Sequence, residues 1–525
     1  MPTSSTIALK NVPNSTKVAT GVSSNILPFD FYPNGNFIPA KMTMRVVRPC
    51  VNSEAGLYNY DHNGFVGMES HVRLSVQGGS FPFRFEIIRG PQGATISNDV
   101  NANDYGVLKY TPTQNGLIDV LVLIVDQERT VRLAAWTINV NADWIRFVSP
   151  AGNNANNGSY ASPWQTLTYA TGQNTEGRAL CLLDGTYTDL NGTASMGVAG
   201  LFNTMFAYNR RQATIDCTSW TSTNGTVFPI NGSNTIIQGI NFDNPPITAA
   251  NPRWFSVNGQ GNNTHMHDCS FNVNGRIGTN NGDNISCLFF SDLGSTNFRK
   301  NITQTACDFY GLDTRFNGWS SIDTYTIRYA CIEKNRFYDQ AAGGTSSGVI
   351  WIKAADNQFF SIRQNEFPTP HAGNCLELSM SARVADGRTG NFEVCYNYVV
   401  KTDEGALRVL RGSGNGVATA PVWSYRNTFI GDITIFSRNE ASTFISENDV
   451  VISDRSRGEP WKVVVLDTNL GNPYQPLTHQ PSITHSITGI DCHLPTSANA
   501  LDANGNLQGV YATQFHGTHG REISK

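Results

Sequence analysis

Short apolar runs recur along most of the chain, broken by Gly, Asn, Pro and Ser at turn-like intervals, and few of them hold a helical period. That pattern predicts many short strands and little helix. Residues 1–38 are an exception, rich in Ser, Thr, Asn and Pro with no sustained periodicity. They read as a flexible arm, or as a peptide that orders on a partner. From about Met42 come "MTMRVVRPC", "HVRLSVQGGSFPFRFEIIRGPQGATIS" and "YGVLKYTPTQNGLIDVLVLIVDQERTVRLAAWTINV", whose β-rich runs and Gly/Pro/Asn turns have the spacing of a sandwich over residues 39–141.

A different texture begins at Arg146. "RFVSPAGNNANNGSYASPWQTLTYA" holds an apolar strand, an Asn/Gly loop, a Pro-Trp step and a small segment of helical period. Beyond it a motif returns: "GINF", "DCSF", "ACDF", "KNRF", "QNEF", "YNYV", "RNTF" and "ENDV". Counted from Ile240, Cys269, Cys307, Asn335, Asn365, Asn397, Asn427 and Asn448, its steps are 29, 38, 28, 30, 32, 30 and 21 residues. A recurrence near this length is the mark of a solenoid, and three strands of about five residues with their turns fill such a coil. The repeated Asn reads as structural, because Asn tolerates left-handed backbone and bonds nearby main chain; stacked at one corner it makes an internal ladder.

Residues Ile145–Ala170 with the following "RALCLLDGTY" resemble the first coil of the right-handed parallel β-helix proteins, the pectate-lyase-like superfamily. That resemblance implies a short helix covering the open end of the stack, as a solenoid needs a cap. Trp164, Leu167 and Ala170 would then face the first coil. "GGSFPFRFEIIRGPQGATIS", "GVLKYTPTQNG" and "VLVLIVDQ" resemble bacterial and phage Ig-like (cadherin-like) modules over residues 66–141, which implies a spacer or stalk. The last segment, "ALDANGNLQGVYATQFHGTHGREISK", resembles the end of phage tail and tailspike β-helix proteins. The expected fold is thus all-β: an arm over 1–38, an Ig-like β-sandwich over 39–141, a right-handed parallel β-helix over 143–460 and a C-terminal capping segment over 461–525.

Composition narrows the function classes. The 525 residues are 39% hydrophobic and only 15% charged, with a net charge of −4. Nothing there marks a nucleic-acid surface, and no stretch is apolar enough to insert in a membrane. Ten cysteines are scattered without a CxxC pair, several inside apolar runs, and read as free buried thiols of a chain made in a reducing cytoplasm. The N-terminus lacks the apolar segment of a secretory signal, so release by lysis or within a particle is expected. Asp126 alone, or His516 and His519 without a carboxylate neighbour, does not make a metal site; neither metal nor cofactor is expected.

Chemistry is left to the outer face of the solenoid. Aligned by their Asn corners, four strands read "VIWIK", "CLELS", "ALRVL" and "DITIF". Strand alternation sends Ile350, Ile352, Leu376 and Leu378 inward, with Trp351, Lys353, Glu377, Arg408 and Asp432 outward; Asp403 and Glu404 enter the same region. Carboxylates on adjacent coils approach the ~5 Å spacing of a retaining glycosidase, and those two coils apart the wider inverting spacing. Glu377, Asp403, Glu404 and Asp432 are the candidate catalytic residues. Trp351 would stack on a sugar, and Lys353 and Arg408 would hold a sugar carboxylate, as a lyase with His371 as base requires. Charged residues outward on a sheet also serve solubility alone.

Three functions fit. One is a phage tail-associated protein that binds and cleaves bacterial surface polysaccharide beside other tail or baseplate proteins. The second is a non-catalytic adhesive or structural virion protein, which lacks a working carboxylate pair. The third is a bacterial polysaccharide lyase. Resemblance to phage spikes also implies a homotrimer, with Leu410 and Phe436 as apolar positions that association would cover.

Overall fold

The computed structural model describes residues 38–49, 63–174 and 178–191, and from 194 to 452 chiefly strands and the tight corners between them; one further strand is Ser482–Thr484. From Ile145 onward the chain winds through three parallel sheets, giving the right-handed parallel β-helix. One coil illustrates the path: Thr235–Gln238 lies in sheet one, Ile240–Asp243 in sheet two and Arg253–Val257 in sheet three, after which Thr264–His267 re-enters sheet one. Among the described residues, sheets one and two have eleven strands each and sheet three has seven. Sheet two is extended by Ser482–Thr484, which pairs with Val450–Ile452.

The repeated motif is the corner between sheets one and two. Asn335 donates from Nδ2 to Asn365 Oδ1 at 2.9 Å, Asn365 to Asn397 at 3.0 Å, and Asn397 to Asn427 at 3.0 Å. Each also donates to the main chain of the sheet-one strand one coil earlier, as Asn365 does to Ile332 O at 2.9 Å. The Asn is not itself the left-handed residue. That conformation falls one position earlier, at Asp268, Ala306, Lys334, Gln364, Tyr396 and Arg426, with φ from 52° to 57°. The side-chain amide satisfies the buried polar groups that this sharp corner would otherwise orphan.

Two residues beyond each corner, the motif's aromatic residue points into the core. Phe242, Phe271, Phe309, Phe337 and Phe367 stack in a column with centroid spacings of 4.9, 5.1, 4.8 and 4.6 Å. All five are fully buried. Burial of such side chains is worth ~1.5–3 kcal/mol each, so the column is a large part of the solenoid's cohesion.

The cap is built as its residues suggest. Thr166 caps the helix α1 (Leu167–Gln173), accepting from Tyr169 N, while Asp189 accepts from Leu167 N at 3.2 Å and Thr168 N at 2.9 Å. Trp164, Leu167 and Ala170 are buried in one cluster with Val148, Leu180 and Leu182 of the first coils. In the Asn/Gly loop, Gly158 has φ +76° and lies under the Trp164 ring, where a Cβ would meet ring carbons at 2.7 Å. Only glycine fits there.

Ahead of the solenoid, two mainly antiparallel sheets face one another, with one parallel pairing at the Asn63–Gly64 edge. Arg84–Arg89, Gly116–Val125 and Val131–Val140 lie in one, with Asn63–Gly64 at its edge; Ser70–Arg73, Val107–Tyr110 and Thr95–Ile96 form the other. A further pair, Arg45–Arg48 with Ser75–Gln77, completes the sandwich. Asp126 belongs to its hairpin turn, accepting from Thr130 N at 2.7 Å and Ser80 N at 3.1 Å.

The expectation of a separate stalk is corrected here. The sandwich lies against the outer face of sheet one, and its core cluster continues into Cys395, Tyr396, Tyr398 and Tyr425 of the solenoid. Arg73 pairs with Glu333 at 2.9 Å, and Glu333 also holds Arg363, whose other carboxylate neighbour is Glu393 at 3.5 Å. Tyr425 donates to Glu393 at 2.9 Å. Lys334 donates to Val100 O at 2.7 Å and Ala102 O at 2.9 Å, while Arg363 lies over the rings of Phe81 and Phe83. Arg73, Glu333, Arg363 and Glu393 are all buried, so the seam is a charged layer sealed from water. Cys181, Cys217, Cys269, Cys307, Cys331 and Cys395 are buried and none is in a disulfide.

Candidate functional site

Sheet three is the outer surface on which the sequence places chemistry. Its strands Ser320–Asp323, Ile350–Ile352, Leu376–Met380 and Leu407–Arg411 are consecutive. Register sets Phe289, Asp323, Trp351, Glu377 and Arg408 in one column, each on the strand next to the last. The flanking column runs through Leu288, Ile322, Ile350, Leu376 and Leu407. Leu376 and Leu378, on either side of Glu377, are fully buried. Alternating apolar residues thus anchor the strand and leave the Glu377 position between them.

Of the residues expected at the site, Trp351, Glu377 and Arg408 are brought together in this column. Lys353, His371, Asp403, Glu404 and Asp432 lie outside the described residues, as do Phe436, His516 and His519. Leu410 lies on the last described strand of sheet three.

Two residues of the column, Phe289 and Asp323, were missed by sequence reasoning, and of these Asp323 carries chemistry. Asp323 neighbours Trp351 on the side away from Glu377. Its strand, "SSID", follows the "ACDF" corner, which has no Asn, and the alignment by Asn corners began one coil later. Extending that alignment by the aromatic residue of "ACDF" would have found it. Asp323 and Glu377 sit two strands apart, which at ~4.8 Å per strand separates their backbones by about 10 Å, close to the carboxylate spacing of inverting hydrolysis. Trp351 lies between them.

Among the described residues, several groups of shifted acidity lie in the seam. Burial raises the Glu333 carboxyl, but Arg363 and Arg73 outweigh it and hold the group below the usual carboxylate range. Burial pushes Glu393 up, against the pull of Arg363. Burial also lowers His265 and His267 well below the ordinary imidazole value, reinforced by Arg48. Perturbed groups often mark a catalytic site. These are enclosed between two packed layers where no polymer can reach, so their role is to join the layers.

No family model and no curated protein matches the chain. Solved structures do resemble it in fold: a rhamnogalacturonan lyase (13% identity, TM-score 0.42, covering 69% of this chain and 94% of that one) and a pectate lyase (16%, 0.37, 62% and 77%). A lacto-N-biosidase from Eubacterium ramulus is a third (12% identity, TM-score 0.36, 58% of this chain and 65% of that one). At these identities the likeness concerns the fold alone. The chain is a parallel β-helix protein carrying a sandwich docked on sheet one.

Proposed function

We propose that this chain is a phage tail-associated β-helix protein that binds bacterial surface polysaccharide along sheet three and depolymerises it there. The observation that carries the polysaccharide reading is the column Asp323–Trp351–Glu377–Arg408. It combines two carboxylates for acid and base, an indole on which a sugar ring stacks, and a guanidinium for an acidic substituent. With the carboxylates two strands apart, water is activated on the face of the sugar opposite the departing oxygen, and the reaction is an inverting hydrolysis. The tail association rests on the sequence likeness of the final segment to tail proteins, and the sandwich is read as an Ig-like module on the same footing.

The test is to incubate the purified full-length protein with capsule and lipopolysaccharide of host bacteria, following chain length, new reducing ends and unsaturated ends. Shortened chains with new reducing ends are expected, and Asp323→Asn or Glu377→Gln should abolish them while retaining binding. Unsaturated ends would replace hydrolysis by elimination. Binding without shortening would make the protein an adhesin, and neither binding nor shortening would overturn the reading.

A further inference from the structure

The corner position that holds Asn335, Asn365, Asn397 and Asn427 is occupied in the two preceding coils by Cys269 and Cys307. Both follow the motif, standing two residues ahead of Phe271 and Phe309 and one residue after the left-handed Asp268 and Ala306. The column is continuous. Asp308 N donates to Cys269 O at 2.9 Å and Arg336 N to Cys307 O at 2.9 Å, just as Glu366 N donates to Asn335 O at 2.8 Å.

A thiol cannot do there what the amide does. Cys307 N donates to Asn335 Oδ1 at 3.1 Å, but Cys307 has no side-chain oxygen to offer the coil before it, so the amide ladder stops. Cys269 Sγ meets Ile237 O at 3.6 Å and His267 O at 3.5 Å, and Cys307 Sγ meets Thr305 O at 3.4 Å, contacts in which sulfur is a weak donor. What the pair has instead is proximity. The two thiols are close enough to bond each other, and burial, reinforced by that contact, raises the Cys307 thiol well above its ordinary value. Parallel strands lie ~4.8 Å apart, inside the Cα separation of roughly 4.4–6.8 Å that a disulfide spans. The rings of Phe271 and Phe309, two residues further on, keep that spacing, with centroids 5.1 Å apart. Thirty-eight residues separate the two cysteines, the longest step of the repeat, so this coil has the most chain entropy to lose on closing.

We propose that Cys269 and Cys307 form a disulfide between adjacent coils when the protein meets a disulfide oxidant, and that this bond replaces the missing rungs of the ladder. One cysteine gives up its proton and its sulfur attacks the oxidant's disulfide, releasing one thiol; the second cysteine sulfur, also deprotonated, then displaces the other. Two S–H bonds are lost, one S–S bond is gained, and the two electrons and two protons leave on the two thiols of the reduced oxidant. Both cysteines are fully buried and a protonated thiol is no nucleophile, so the exchange waits on opening of the corner. Once made, the link constrains the unfolded chain around its longest connection, where a cross-link stabilises most.

Full-length protein purified in reductant is transferred to oxidised glutathione at a series of temperatures up to just below its melting point. Remaining thiols are blocked with N-ethylmaleimide, and non-reduced peptides are mapped by mass spectrometry. A linked pair of peptides carrying Cys269 and Cys307 should be the main disulfide, forming about three to six times faster for each 10 °C as opening becomes more frequent. The oxidised protein should melt a few degrees above the reduced one. In Cys307→Ser, compared oxidised against reduced in the same way, both the link and the gain in melting temperature should vanish. Thiols at 269 and 307 that are still blocked after oxidation just below the melting point, a disulfide joining either cysteine to a different partner, or a linked protein that melts no higher than the reduced one would overturn the assignment.

Discussion

The Asn corner and the outer face of sheet one are made by the same strands, but they are held together in opposite ways. At the corner each coil bonds the next copy of itself, so Asn335, Asn365, Asn397 and Asn427 need nothing beyond their neighbours. On the outer face, Glu333, Arg363 and Glu393 are completed by a segment some 260 residues earlier in the chain, through Arg73. Repetition makes the first robust and the second conditional. A buried charge is tolerable only while its partner is present, whereas a ladder that loses one rung keeps the rest.

Removing residues 1–141 should break the comparison most severely. The truncation strips Arg73 from Glu333 and the Val100 and Ala102 carbonyls from Lys334, and it uncovers Tyr396, Tyr398 and Tyr425. The truncated chain should be insoluble or cooperatively destabilised in a denaturant titration; a soluble fragment with an unchanged midpoint would show that the seam holds nothing. Arg73→Met tests the same seam with one side chain. Leaving Glu333 short of a partner should cost ~3–5 kcal/mol, read from the shift in unfolding midpoint.

Asn397→Leu addresses the corner. It takes the Nδ2 donor from Ile362 O, leaves Asn427 Oδ1 only its bond from Asn397 N, and removes the acceptor of Asn365 N, all buried, for a loss of roughly 1–3 kcal/mol. A loss equal to that of Arg73→Met would erase the distinction between ladder and seam.

Acidity sharpens it by the smallest steps. His265 and His267 have folded values lowered by burial and Arg48, so their contribution is complete above the unfolded value of about 6.5 and declines as pH falls below it. Each costs up to ~1.4 kcal/mol per pH unit there. Glu333, lowered by its arginines, adds a second loss only as pH falls below the unfolded carboxylate value of about 4.3. Unfolding midpoints measured against pH should therefore begin to fall near 6.5, and His267→Gln should flatten that first limb. An acid limb that starts only below pH 5 would contradict the buried imidazoles.

How much of this could be read from the sequence follows from the same contrast. The solenoid, the cap and the corner were legible because each residue type recurs at a fixed step or sits in a contiguous stretch. Even there the left-handed residue was placed on Asn when it belongs to Lys334, Gln364 and Tyr396, whose side-chain variety hides a shared backbone. The seam was not legible. Arg73 and Glu333 carry no local sign that they are partners, and "HVRLSV" reads equally well as a free-standing strand. At the candidate site, alternation named Trp351, Glu377 and Arg408, which register sets in one column, but passed over Asp323 because its coil lacks the Asn used for alignment.

The phenylalanine column carries a consequence for how such a chain can change. Thirty-eight residues separate Cys269 from Cys307 and twenty-eight separate Cys307 from Asn335, yet Phe271 meets Phe309 at 5.1 Å and Phe309 meets Phe337 at 4.8 Å. Ten additional residues are absorbed without altering the pitch. The interior behaves as a fixed chassis, and the connections leading into and out of sheet three are free to lengthen around it. The periphery of the candidate site can therefore be rewritten coil by coil, with the stack beneath left as it is.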